Sequence, residues 1–128
     1  MKHNLNLIHV KYSEKELEDN IHLFDKFDWM DISFYQTLSE VFIEKYLHKL
    51  SIYYICSRQD LSEKFIAKHA NKITWDSICK YQNLSEKFIQ KHIDKINIHI
   101  NLLMQNKRIS LKLKNKIKKE IILLKEII

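Results

Sequence analysis

The apolar residues of this chain fall into short helical stripes. Trp75, Ile78, Cys79 and Gln82 stand at offsets 0, 3, 4 and 7, which is one face of a helix. Leu84 follows, then Ser85 and Glu86, which read as the start of a second helix. The serine hydroxyl can accept from a free backbone N–H, and an acid in the first turn suits the helix dipole. Leu84 before the cap and Ile89 at the fourth helical position have the spacing of a hydrophobic staple. Phe88, Ile89, Ile93 and Ile96 then line the apolar side of that second helix.

This helix pair recurs. Gln36, Gln59, Gln82 and Gln105 are spaced by 23 residues, and Leu38-Ser39-Glu40, Leu61-Ser62-Glu63 and Leu84-Ser85-Glu86 keep step with them. Trp29, Ile52, Trp75 and Ile98 share a column, as do Ile32, Ile55 and Ile78. Tyr12-Ser13-Glu14 with Asp25 to Trp29 reads as a repeat with three extra residues, and Ile109-Ser110-Leu111 as an altered last one. Helices this short are marginal alone, so stacked neighbours must supply their burial. The expected fold class is all-α: tandem helix-pair repeats stacked as a small α-solenoid with a basic C-terminal capping helix. It forms a single domain over 1–128, with an atypical N-terminal repeat over about 1–28, three repeats over about 29–104 and the cap over 105–128.

The motif W-x-x-I-x-x-Y-Q-x-L-S-E-x-F-I, best kept from Trp75 to Ile89, resembles short helical repeats of uncharacterised phage and large-DNA-virus proteins. The likeness covers roughly residues 12 to 110, and the second repeat departs from it with Ile52 for Trp and Arg58 for Tyr. It implies a helical array and a viral origin, and no specific activity.

Composition narrows the chemistry. Glycine and proline are both absent, which excludes glycine-based phosphate loops and hairpin turns. Two cysteines, Cys56 and Cys79, are too few for a disulfide framework. The chain opens on mixed residues and has no run of 18 apolar ones, so the expectation is a cytoplasmic protein, in the host cytoplasm if viral, with no membrane span.

The net charge of +6 is unevenly placed. Residues 1–104 balance, whereas the last 24 residues carry Lys107, Arg108, Lys112, Lys114, Lys116, Lys118, Lys119 and Lys125 against Glu120 and Glu126. This segment reads either as a capping helix with a solvated lysine face or as a helix that binds nucleic acid or an acidic partner; a membrane-surface role is the weaker reading, as the segment has no Trp or Phe anchor. Ile117, Ile121, Leu124 and Ile128 give the stripe a cap requires. Lys45, Lys68 and Lys91 form a lysine ladder beside an acidic one of Glu40, Glu63 and Glu86. It is either ordinary solvation or a polyanion track.

Candidate catalytic and metal sites are not expected, nor is a cofactor. The seven histidines include no close pair of the kind zinc sites use. The column Ser33, Cys56, Cys79 and Leu102 is one of packing rather than nucleophiles, and no base or oxyanion hole accompanies it. The glutamine column is expected to bond the turn backbone or the neighbouring glutamine, in place of a glycine cap. Columns that vary between repeats are better candidates for contact: Met30, Tyr53, Asp76 and His99, and Tyr35, Arg58, Tyr81 and Met104, with Phe34 nearby. The leading expectation is a non-enzymatic protein-binding module using Tyr35, Arg58, Tyr81, Met30 and Tyr53. Its partner would be a host or effector protein, such as a defence protein that a phage product inhibits, in the manner of an anti-CRISPR. The alternative is nucleic-acid binding through Lys45, Lys68, Lys91, Lys107, Arg108, Lys112, Lys116 and Lys119.

Overall fold

A computed structural model describes residues 1–127, and among them every regular element is helical. The chain divides into two compact units, Met1–Leu61 and Ser62–Ile128. The first holds α1 (Glu14–Asp19), α2 (Lys26–Tyr35), α3 (Glu40–Tyr46) and α4 (Ile52–Arg58). The second holds α5 (Glu63–Lys68), α6 (Trp75–Tyr81), α7 (Glu86–Lys91), α8 (Ile93–Ile96), α9 (Ile100–Met104) and α10 (Leu111–Ile127).

The predicted helix starts hold. The hydroxyls of Ser39, Ser62 and Ser85 accept from the N–H groups of Phe42, Phe65 and Phe88. Leu38, Leu61 and Leu84 before these caps are buried, as are Ile43, Ile66 and Ile89 four positions into the helices. The acidic ladder has a structural task beyond solvation. Glu14 accepts from the backbone N–H and hydroxyl of Ser39 at 2.6 and 2.8 Å. Glu63 does the same for Ser85 at 2.6 and 3.0 Å. At these two places a first-turn acid thus anchors the next capping serine, whereas Glu86 pairs with Lys116.

The helix ends explain how the chain manages without glycine. Among the described residues none has positive φ. Instead α2, α4 and α6 stop at Gln36, Gln59 and Gln82, each extended, with φ near −90° and ψ near 150°. An extended exit leaves the last helical carbonyls without partners. Within the first unit these are met by the glutamine of the next repeat. Gln59 Nε2 donates to the Ser33 and Gln36 carbonyls at 3.1 and 2.7 Å, and its Oε1 accepts from Leu38 N–H at 3.0 Å. Gln36 does likewise to Leu7 and Val10 carbonyls and Tyr12 N–H, at 2.7, 2.8 and 2.9 Å. The sequence offset of each of these bonds is three longer than for Gln59, as the three-residue insertion requires.

The last repeat departs from the expected register by one residue. Gln105 is exposed, and Asn106, fully buried, donates to the Cys79 and Gln82 carbonyls at 2.8 and 2.7 Å. Leu103 rather than Leu102 is the fully buried residue there. The extra residue lies in a stretch where α8, a short 3₁₀ turn and α9 replace a single helix. A side chain one methylene shorter reaches the same carbonyls from one position further along.

Candidate functional site

Four of the five proposed contact residues come together in the first unit. Phe34 is the hub. Its ring meets Tyr35 at 4.6 Å and 63° and Tyr54 at 5.1 Å and 88°, and the Arg58 guanidinium lies 4.3 Å over it. Tyr53 packs on Tyr54 at 5.5 Å and is about half exposed. Met30, Asp31, Phe34, Tyr35 and Tyr54 line a cleft of about 240 Å³. α2 and α4 build this face because Ile32 and Ile55, fully buried, hold their other sides in the core. Ser33 locks the two helices together: its hydroxyl donates to the Trp29 carbonyl and accepts from Ser51 N–H.

Asp31 and Tyr54 were missed by the column analysis. They share a column that also varies, with Ser77 and Ile100 in the later repeats, so the same signal marks them. Burial, with the charges of Asp28 and Asp25, pushes the Asp31 carboxyl above the usual range. Asp28 is lowered instead: burial opposes this, but bonds from Asp25 N–H and from His3 outweigh it.

Tyr81, the fifth contact residue, lies in the second unit among cations. The Lys80 ammonium is 5.3 Å from its ring centroid, and Arg108 Nη1 donates to its carbonyl at 3.5 Å. Lys80, Tyr81, Gln105, Asn106, Lys107 and Arg108 line a shallow cleft there.

The lysines of the ladder and the C-terminal helix are unequal. Lys45 donates to Glu18 at 2.8 Å, and Tyr46 Oη donates to the same carboxylate at 2.7 Å. Those two bonds, Lys45 first, lower the Glu18 carboxyl. Lys116 pairs with Glu86. Lys68, Lys91, Lys107, Lys112 and Lys119 are exposed. In α10 the expected stripe is only half used. Ile117 and Ile121 are buried, but Leu124 is 47% exposed, because the helix outruns the shorter α7 against which its first turns pack; Ile128 lies outside the described residues.

The histidine column serves packing. His69 lies 4.5 Å from Phe65, and His92 lies 4.4 Å from Phe88 and 5.5 Å from Trp75. Tyr46 occupies the same place beside Phe42 and Trp29 in the first unit. Among the described residues no group of three or more His, Cys, Asp or Glu could hold a metal ion. None of their helices is long and apolar enough to cross a membrane. Against known families, characterised proteins and solved structures, the chain finds no match.

Proposed function

We propose that this chain is a non-enzymatic module of tandem helix-pair repeats that binds a partner protein through the aromatic face of α2 and α4. The carrying observation is the convergence of Met30, Tyr35, Tyr53 and Arg58 around Phe34 and Tyr54, from columns that differ between repeats. Tyr and Arg dominate the energetics of protein interfaces, and half-exposed rings fixed by edge-to-face contacts lose little entropy on binding. The recurring amide clamps support a solenoid-like stacking of the repeats, the architecture that presents variable columns as a surface. The resemblance to viral repeats extends the proposal to a host target, a defence complex such as a CRISPR effector being the type that suits an inhibitor of this size.

The test is capture of tagged protein from host lysate after nuclease treatment, comparing wild type with Tyr35→Ser/Arg58→Ala. A stoichiometric partner lost from the variant, at unchanged helicity, supports the face. A partner kept at full affinity removes it.

A second reading draws on charge. The second unit carries fifteen Lys/Arg against six Asp/Glu, and Lys80, Lys107 and Arg108 line one cleft with the exposed Tyr81, a combination suited to a stacked base and its phosphate. It requires DNA or RNA binding that weakens steeply with salt and falls on Lys107→Ala/Lys112→Ala. Salt-independent or absent binding removes it.

A further inference from the structure

We propose that the α2/α4 cleft takes a lysine-type ammonium group from the partner, enclosed by the rings of Phe34, Tyr35 and Tyr54 and faced by the carboxylate of Asp31. This rests on the reading of the first unit as the binding face and specifies the chemistry of its anchor.

Three observations lead there. The first is shape. Phe34 stands nearly perpendicular to Tyr54 and steeply inclined to Tyr35, so the cleft has aromatic walls at an angle rather than a flat stack. An alkylammonium ion among such rings is attracted to whichever ring face it meets, through the negative face of the quadrupole. No cation lies over Tyr35 or Tyr54 among the described residues. Arg58 lies over Phe34 but does not line the cleft, and it shows that this ring accepts a cation.

The second is the carboxylate. Three acids follow one another at three-residue spacing. Asp25 accepts from Asp28 N–H at 2.8 Å as the helix cap, and Asp28 is held by His3 at 3.0 Å. Asp31, half-buried at the cleft, has no hydrogen bond and no ion pair among the described residues. Its carboxyl is raised by burial and by its two acidic neighbours. A cation in the cleft would offset both causes.

The third is the charge around it. The first unit holds seven Lys/Arg against ten Asp/Glu, in a chain whose net charge is positive. The unit that carries the face is therefore net acidic, which favours the approach of a basic partner to it over the basic second unit.

The test uses the full chain, amide NMR and three probes: Nα-acetyl-lysine amide, its Nε-trimethyl form, and Nα-acetyl-norleucine amide as the neutral counterpart. Saturable shifts at Asp31, Phe34, Tyr35 and Tyr54 are expected with both ammonium probes and not with norleucine. Asp31→Asn should weaken the ammonium probes roughly fivefold or more while leaving the thermal midpoint no lower than wild type. Equal shifts from norleucine, or an unchanged affinity in Asp31→Asn, would overturn the proposal, as would no shift at the highest soluble concentration. The two readings fail separately. A purely apolar anchor leaves partner capture sensitive to Tyr35→Ser, whereas capture that ignores Tyr35 and Arg58 removes the face whatever the probes do.

Discussion

Replacing Gln59 with leucine isolates the device that ends helices in this glycine-free chain. The leucine is close in size but can neither donate nor accept. It strands three buried groups at once: the carbonyls of Ser33 and Gln36, and the N–H of Leu38. A buried polar group left unpaired costs about 1–3 kcal/mol, so three would cost roughly 3–6 kcal/mol after partial relaxation. The apolar side chain returns about 1 kcal/mol through its own burial. A net loss of roughly 2–5 kcal/mol is a large share of the roughly 5–15 kcal/mol that holds most domains.

The same column supplies its own control. Gln105 is exposed and has handed the role to Asn106, so Gln105→Leu should change stability by no more than about 0.5 kcal/mol. Asn106→Leu should resemble Gln59→Leu, since it strands the Cys79 and Gln82 carbonyls and the Arg108 N–H. The assay is urea unfolding followed by far-ultraviolet circular dichroism, fitted with two transitions allowed because the chain has two compact units. At about 3–5 °C per kcal/mol, Gln59→Leu should also lower Tm by roughly 6–25 °C. If Gln59→Leu and Gln105→Leu agree within about 1 kcal/mol, the clamps are incidental and apolar packing alone terminates the helices.

Three further outcomes are expected. Burial first, and then the charge of Lys91, hold His92 below its ordinary value, and its buried Nε2 has no partner. As pH falls through about 6.5 the unfolded chain therefore binds a proton that the folded one refuses, so the stability present above that range is lost until the folded pKa is passed. His92→Phe should flatten the drop between pH 7.5 and 5.5 in denaturant titrations; an identical slope in both proteins would refute this. Cys79 is fully buried, and burial, with the charge of Asp76, pushes its thiol up to about 12. At pH 8 only about one thiol in ten thousand is ionised, so iodoacetamide should label it in urea and not in native protein. Rapid native labelling would show that the site opens. Finally, Glu63→Ala and Ser85→Ala should each cost about 1 kcal/mol and the double variant less than their sum, because both lose the bond between the Ser85 hydroxyl and the Glu63 carboxylate. Full additivity in the double-mutant cycle would deny the coupling.

Local features of the fold were legible because they depend on residues close in sequence. The capping serines, the staples and the extended glutamine exits each follow from a few adjacent positions, and the structure places them where the spacing predicts. Features that depend on the next repeat were legible only in part. The glutamine column signalled an amide bonded to the turn backbone or to a neighbouring glutamine, and which carbonyls it serves is set by the distance between neighbouring helices. The shift from Gln105 to Asn106 hid for the same reason, since strict 23-residue counting points to the wrong amide. In α10 the periodic stripe is genuine, yet Leu124 is exposed: periodicity says which residues share a face, and the length of the opposing α7 decides how much of it is covered.

The candidate site follows from the same division of labour. Columns that satisfy backbone demands admit one residue type, so glutamine, serine and isoleucine recur at them. The positions facing outward from α2 and α4 carry no such demand, and there the repeats differ: Asp31 and Tyr54 against Ser77, Phe34 against Lys80. Variation alone marks a position as unconstrained by the fold. Convergence turns it into a site, because unconstrained positions have no structural reason to gather three rings, a methionine and an unpaired carboxylate around one cleft. Exposing so much aromatic surface works against solubility, and leaving Asp31 half-buried beside two other acids works against stability. Both costs would be offset by a cationic group seated in the cleft, which the proposed partner anchor would supply.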